Sequence, residues 1–382
     1  MRRTATKTAQ PRPIVAPTLA CVPDRTSEPL AAFPGAHGAA PVSDGPQAML
    51  VGTHLAEVSS DPAVLDRSGR WAVCIAFEGV VTLARFEHWE AGPPHPDLVG
   101  SWRSPARGSW SSSLDEADYV TAVERIRSHV SRGEVYQANL CRVLRAPIDP
   151  RSDIAALHQR LLRGNPAPHS GLLRLPEHGV HIASASPELY LRRSRDTLSS
   201  RPIKGTAVTP DGLLDKDAAE NVMIVDLVRN DLSQVCRTGT VEVPALLEVE
   251  AHPGLVHLVS TVTGQLRGDA TWAQILAATF PPGSVTGAPK HAALDIIARL
   301  EPTARGPYCG AFGWVDADTG AAELAVAIRS FWFEDGPDGR HICFGTGAGI
   351  TWGSDPAAEW RETELKAARL LEVAESGTLG GG

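Results

Sequence analysis

The sequence predicts an α+β fold with mostly antiparallel β-sheet, and two observations lead there. Stretches with strand character and stretches with helical period are interspersed along the chain without regular βαβ alternation. WAVCIAF (71–77) and VVTLARF (80–86) flank Glu78-Gly79, the pattern of a β-hairpin. No internal repeat is visible, which sets aside solenoid and propeller arrays.

Taken in order, residues 1–46 are rich in Ala, Pro, Gly and Ser, lack a sustained period and read as a disordered tail. Residues 47–114 hold the hairpin and then a loop rich in Pro, Gly, Ser and Trp from about 91, an N-terminal β portion with its linker. The main body is 115–376. Asp115 opens a helix in which Tyr119, Val123, Ile126 and Val130 fall at helical spacing, and Gly133 stops it. GLLRL (171–175), VHIASA (180–185) and LYLRR (189–193) read as short strands between turns. A helix follows over 217–233, then strand-like VEVP (241–244) and LVSTVTGQL (258–266). WAQILAATF (272–280) and PKHAALDIIARLE (289–301) are helical. ELAVAIRSFWF (323–333), HICFGTG (341–347) and AGITW (348–352) read as strands. The last helix spans about 356–375, and residues 377–382 form a glycine-rich flexible tail.

Composition excludes several classes. The chain carries 36 basic and 44 acidic residues, a net charge of −8, with no long basic run, which argues against nucleic acid or an anionic membrane as partner. Its six cysteines (Cys21, Cys74, Cys141, Cys236, Cys309 and Cys343) are scattered without a CxxC pair. The thirteen histidines include no HExxH, so neither a zinc site nor a disulfide framework is expected. No apolar run is long enough to cross a bilayer, and the basic start, MRRTATKTAQPRP, is followed by prolines and no signal-peptide core. Free thiols fit a reducing compartment, so the expected location is the cytoplasm.

Several side chains have the chemistry of a site, and each has a plainer reading beside it. Lys204, in RPIKGT, sits between a proline-braced approach and a glycine–threonine turn. Buried there, its amine loses hydration and becomes a nucleophile; solvated, it is an inert turn lysine. Asp217 and Glu220 share a helix face, as do Glu359, Glu362 and Lys366. Singly these are dipole-complementing or solvated stripes. If the two acidic faces converge, they supply the oxygen ligands that suit Mg²⁺. FPPGSVTGAPK (280–290) brings the Ser284 and Thr286 hydroxyls to a helix N-terminus, as anion ligands or as ordinary caps. Phe344 to Gly349 lacks GxGxxG spacing and precedes strand-like ITW, which excludes a dinucleotide loop. Its glycines still let backbone amides approach a carboxylate. Arg329 interrupts an apolar strand and needs an anion, either a substrate carboxylate or a structural partner. His257 lies between apolar residues, and Glu188, in SPELYL, begins a strand; both have unremarkable structural readings as well.

Together the stretches GEVYQANL, SPELYL, RPIKGT, AENVMIVDLVRNDL, HLVSTVTGQL, GSVTGAPK, CGAFGW, AVAIRS, GTGAGI and AEWRETELKA, in this order over about 115–375, resemble the chorismate-binding enzymes. That family includes the large components of anthranilate synthase and aminodeoxychorismate synthase, and isochorismate and salicylate synthases. The resemblance implies large, mostly antiparallel sheets sandwiched with helices. PIKGT, where anthranilate synthases have PLAGT, places the chain nearest the aminodeoxychorismate branch. No amidotransferase or lyase segment is recognised, so the chain resembles a synthase subunit that works with a glutamine amidotransferase supplying ammonia.

The resemblance also implies roles. Lys204 is the nucleophile, Glu188 the proton donor to the departing hydroxyl, and His257 an acid–base or orienting group. Glu220 and Glu362 hold Mg²⁺, with Asp217 and Glu359 in the neighbouring shell. Tyr308, Arg329, the Gly347-Ala348-Gly349 backbone, Gly205, Thr206, Ser284 and Lys366 hold the substrate's carboxylates. The expected reaction converts chorismate and ammonia to 4-amino-4-deoxychorismate, the para-aminobenzoate precursor, through a covalent Lys204 adduct. The alternatives within the family are anthranilate synthase and 2-amino-2-deoxyisochorismate synthase; outside catalysis, an inactive chorismate-binding regulatory subunit.

Overall fold

The computed structural model describes residues 25–35, 49–207, 209–252 and 255–376. In chain order its strands are β1 (Leu30–Pro34), β2 (Met49–Ser59), β3 (Arg70–Ile75), β4 (Val81–Ala91), β5 (Ser111–Ser112), β6 (Gln137–Pro147), β7 (His169–Leu175), β8 (Val180–Ser186), β9 (Leu189–Ser194), β10 (Thr197–Arg201), β11 (Ile203–Ala207), β12 (Glu242–His252), β13 (Leu255–Gln265), β14 (Gly287–Ala288), β15 (Ala311–Asp316), β16 (Ala321–Val326), β17 (Ser330–Gly336) and β18 (Gly339–Ile350). The helices are α1 (Glu116–Ser131), α2 (Ile154–Gly164), α3 (Asp215–Ser233), α4 (Trp272–Thr279), α5 (Lys290–Leu300) and α6 (Pro356–Glu375).

Every one of these pairings is antiparallel. They form one continuous path: β6, β18, β17, β8, β7, β1, β2, β4, β3, β15, β16, β9, β10, β13, β12, with β11 on β13 beyond β10. The α+β expectation therefore holds. The expected tail 1–46 is corrected at one place. Leu30–Pro34 is a buried strand that pairs with β7 on one side and β2 on the other, splicing the two halves of the sheet. Its five residues are apolar and too few to show a period, which is why composition masked them. Residues 1–24, 36–48 and 377–382, also read as tails in large part, lie outside the described residues. The hairpin is present as β3 and β4, and β3 continues into the main body by pairing with β15.

Helix ends follow the local chemistry. Asp115 caps α1 by accepting from Asp118 N, and Tyr119, Ala122, Val123 and Ile126 are buried. Thr271 and Gln274 form a capping box on α4. Asp355 caps α6, with Pro356 in the first turn. Helices α2 and α6 cover an apolar cluster with Phe331, Phe333, Ile342 and Phe344, whereas α3 and α4 pack against the cluster over β13 and β15. Two strand expectations change. ELAVAIRSFWF is two strands, β16 and β17, broken at Ala327–Arg329, where Arg329 has φ +52. HICFGTG and AGITW are the single strand β18, so the glycine cluster lies inside a sheet and not after one.

The ends of several elements meet at a fully buried arginine. Arg305 donates to both Glu301 carboxylate oxygens at 2.8 and 2.7 Å, to Val285 O at 2.9 Å and to Asn139 O at 3.0 Å. Its guanidinium lies 4.1 Å from the centre of the Phe77 ring. Glu301 also accepts from Cys141 N, and Glu78 in the hairpin turn accepts from Arg305 N and Gly306 N. The end of α5, strand β6, the loop before β14 and the hairpin are thus fixed to one another. Arg305→Leu strands the Glu301 carboxylate in the core and is expected to cost about 3–5 kcal/mol in denaturant unfolding. Adding Glu301→Leu should restore part of that loss. A single variant as stable as the parent rules out this role.

Candidate functional site

Lys204 stands on β11 at a bulge that Gly205 creates with φ +78. Glycine is required twice there. A Cβ would be strained at that φ, and it would lie 2.8 Å from Cβ of Asp217, so the first turn of α3 approaches β11 only because the side chain is absent. Lys204 Nζ donates to the Ser284 carbonyl at 3.2 Å. Burial lowers the pKa of the amine, Glu220 and Glu188 oppose that, and Lys366 adds to it. Glu188, 4% exposed at the start of β9, is pushed up to about 7 by burial, against the Ser284 hydroxyl, Lys204, the Ile203 N–H and Arg329. Glu188, Ser284, Lys204 and Arg329 are therefore one neighbourhood. Burial pulls the Arg329 pKa down while Glu188 supports its charge. His257 is buried on β13, directly across from Thr206.

A second wall is an open strand edge. β17 pairs with β18 only as far as Phe344, because the chain before Ser330 turns away at Arg329. On β6 the N–H groups of Asn139, Cys141 and Val143 point away from β18, to Thr286 O, the Glu301 carboxylate and the Ser113 hydroxyl. Their register partners Gly349, Gly347 and Gly345 must likewise turn their N–H and C=O groups away from β6. Lys366 Nζ, 3.0 Å from Gly347 O, shows that direction occupied. Side chains fill the space above the glycines. A Cβ on Gly345 would lie 2.0 Å from the Tyr308 ring and one on Gly349 2.2 Å from Gln137 Nε2. Tyr308 therefore packs in the core under β18, and the Ala348 side chain faces the apolar cluster beneath α1 and α6.

The two acidic helix faces converge. Asn221, fully buried, donates to Leu258 O at 3.2 Å and accepts from Ser260, which pins α3 to β13 beside Glu220. Arg142 on β6 holds α6 by donating to Thr363 Oγ1 at 3.0 Å while lying 4.0 Å from the Trp360 ring centre. Glu220 and Glu359 are pushed up, first by burial; Glu362 adds to both shifts and Asp217 to that of Glu220. Burial alone would raise Glu362, but Lys366, Lys216 and Lys204 outweigh it and hold it low. Lys366 forms a 2.7 Å ion pair with Glu362. Asp217 accepts from Leu214 N at 2.9 Å and so also caps its own helix. Among the described residues no three His, Cys, Asp or Glu side chains by themselves form a metal cage. The donor set is nonetheless all carboxylate oxygen, and Glu362 helps to raise both Glu220 and Glu359, which suits a hard cation that takes its remaining ligands from substrate and water.

Sequence reasoning passed over several residues of the site. Asn139 Nδ2 donates at 3.3 Å to the same Ser284 carbonyl that holds Lys204, and Gln137 Nε2 donates to Asn139 Oδ1 at 3.1 Å. Polar amides at alternate positions at the start of the strand, Gln137 and Asn139, were the available signal. Lys216, in the first turn of α3, acts on Glu220, Glu359 and Glu362 together. Thr286, by contrast, spends its hydroxyl on the turn, donating to Pro282 O and Gly283 O.

The family model of the chorismate binding enzymes matches residues 85–372. Anthranilate synthase component 1 of Streptomyces coelicolor is 40% identical over 274 residues, 69% of this chain and 52% of the relative. Aminodeoxychorismate synthase component 1 of Klebsiella aerogenes is 37% identical over 280 residues, 70% of this chain and 60% of the relative. The chain thus spans little more than half the length of these relatives. In fold it is similar to a 2,3-dihydroxybenzoate-specific isochorismate synthase of Bacillus anthracis, with TM-score 0.73, 20% identity and coverage of 91% and 96% of the two chains. It is likewise similar to anthranilate synthase component I of Streptococcus pneumoniae, with TM-score 0.66, 24% identity and coverage of 88% and 83%.

The raised Glu188 carboxyl links stability to pH. Its folded pKa of about 7 lies above the ordinary 4.5, so the folded state binds the extra proton between these values and loses stability as pH rises through them. Glu188→Gln should remove that loss. The variant is expected to gain on the parent from pH 4.5 to 7, by an amount of order 3 kcal/mol at the upper end. Parallel stability–pH curves for the two proteins would sink this account.

Proposed function

We propose that this chain, which belongs to the chorismate-binding enzymes, aminates chorismate at ring carbon 4 with ammonia to give 4-amino-4-deoxychorismate. The observation that carries the reading is Lys204, an amine whose pKa is lowered by burial and which is held at the Ser284 carbonyl beside a carboxyl poised near neutrality. A nucleophile and a proton donor within one site are what a substitution with a poor leaving group needs.

In this reading Arg329, Lys366 and the outward N–H groups of Gly347 and Gly349 bind the two carboxylates of chorismate and set the ring against Lys204. Glu220 and Glu362, with Glu359 and Asp217 beside them, would hold Mg²⁺, which when bound supplies charge neutralisation for a substrate carboxylate. The neutral Lys204 amine forms a bond to ring carbon 2, the double bonds shift, and the C4–O bond breaks. Glu188 gives its proton to the departing hydroxide, and water leaves. Ammonia then bonds to carbon 4 and the shift reverses, expelling Lys204. His257, behind the bulge, orients this strand segment. The ammonia would come from glutamine through a partner amidotransferase. Relatives named as anthranilate synthases keep amination at carbon 2 as the competing outcome.

Product analysis with chorismate, Mg²⁺ and ammonium chloride tests the reading by retention and mass. The parent should release the 4-amino product, and Lys204→Ala should reduce it to background. Full 4-amino product from Lys204→Ala would exclude the covalent route, and anthranilate from the parent would replace the reading by the other branch. Asn139 should matter through Lys204. Asn139→Leu leaves the Ser284 carbonyl to the lysine alone, favours the ammonium form, and is expected to lower kcat about tenfold with the KM for chorismate little changed. Its activity limb should move to higher pH. A fall confined to KM would show that Asn139 binds substrate instead.

A further inference from the structure

We propose that a cavity behind Glu188 is the holding site of the nitrogen nucleophile, neutral ammonia; the proposal rests on the amination reading above. The cavity has a volume of about 20 Å³ and is walled by Glu188, Tyr190, Val228, Asp231, Thr279 and Ser284 among others. Such a volume is enough for a molecule the size of water or ammonia. Lys204 is not among its walls, whereas Glu188 and Ser284 belong both to it and to the lysine's surroundings. Glu188 therefore divides a chamber for a small molecule from the position of the reacting ring.

The walls favour ammonia over ammonium. Most of the lining surface is apolar, with Val228 and Leu232 on the α3 side and Leu189 and Val326 opposite. Most of the polar wall groups are tied up in pairs, Glu188 with the Ser284 hydroxyl among them. Tyr190 and Thr279 share a 2.6 Å hydroxyl bond, and Asp231 holds Lys290 at 2.7 Å. As long as Glu188 carries its proton, a cation entering there would lose its hydration with the Asp231 charge already matched, while a neutral molecule with N–H donors and one acceptor pair loses little. The buried Lys290–Asp231 pair also fixes α3 to α5, so the chamber keeps its shape.

The chemistry closes on Glu188. As the C4–O bond breaks, Glu188 protonates the hydroxide and becomes a carboxylate. The ammonia lone pair forms the N–C4 bond, the double bonds shift back, and the C2–N bond breaks with its electron pair returning to Lys204. The new C4 ammonium gives one proton to Glu188. Hydroxyl has been exchanged for amino, water has been released, and Glu188 and Lys204 are back in their starting forms.

The test uses the full chain with Mg²⁺, saturating chorismate and either ammonium chloride or methylamine as nitrogen source. The parent should use ammonia and reject methylamine, which is one carbon too large. Val228→Ala should admit it, raising N-methyl product relative to amino product by about tenfold or more, the worth of one methylene in a fitted pocket. Because this variant gains a product, misfolding cannot imitate it. Val228→Phe fills the chamber and should raise the KM for ammonium by about tenfold, an overpacking effect, while intact-protein mass still shows the Lys204 adduct formed without ammonium. If the parent aminates but Val228→Ala rejects methylamine and Val228→Phe keeps the parental ammonium KM, the chamber holds water only and the proposal falls alone. If the parent makes no amino product, the amination reading falls and takes the proposal with it.

Discussion

Arg329 occupies the point at which β17 stops pairing with β18, and its backbone lies in the left-handed region at φ +52. A long charged residue pays no dividend for that conformation locally, since the region costs a non-glycine residue of order 1–2 kcal/mol. What the turn provides is an unpaired length of β18. Over Gly345 to Gly349 the strand is hydrogen-bonded on its β6 side alone, and its other edge presents amides and carbonyls to the space that Lys366 enters. Had β17 continued in register, those groups would be buried in a ladder and no anion could reach them. The same turn carries the Arg329 side chain to Glu188. One backbone reversal thus creates both the amide edge and the guanidinium beside it.

Around this edge the charges are arranged in opposition. Four amino-acid cations, Lys204, Lys216, Lys366 and Arg329, face Glu188, Glu220, Glu359 and Glu362. Burial penalises the charged forms of Lys204, Arg329, Glu188, Glu220, Glu359 and Glu362, so each of these keeps its charge only as far as its neighbours permit. Glu362, beside three lysines, stays ionised, whereas Glu188, beside fewer, is poised near neutrality. Lys204 is pushed toward its neutral form by the same desolvation. Acid and nucleophile are therefore set by position within one field, on residue types that are individually ordinary. The positions are in turn fixed by neutral bonds, Asn221 to β13 and Asn139 to Ser284, which titrate at no ordinary pH.

Much of this was legible in the sequence. The hairpin across Glu78-Gly79, the helix from Asp115 and the two acidic faces follow from turn chemistry and period, and the ordered motifs pointed to the family. The spacing of Asp217 and Glu220 could not show that their helix meets α6, because convergence depends on Gly205 letting α3 approach and on Arg142 holding α6. Arg329 was visible as an odd residue in an apolar run, but a left-handed backbone leaves no signature when the residue is not glycine. From sequence the glycines at 345–349 fall within two separate strands, HICFGTG and AGITW, because glycine usually interrupts a strand. Here they serve inside a strand, by giving room to Tyr308, Cys141 and Gln137. β1 was missed because five apolar residues among Ala and Pro show neither period nor length.

That strand has a further bearing on the protein's behaviour as material. Among the described residues, β1 is the single link through which β7 and β2 belong to one sheet. Were Leu30–Pro34 clipped away or displaced, two strand edges would be laid bare at once, both next to apolar side chains. Bare edges of that kind recruit one another between molecules. Five residues that look dispensable therefore guard solubility during synthesis and storage, and proteolysis upstream of Met49 is a hazard to the whole preparation even though it touches nothing at the site.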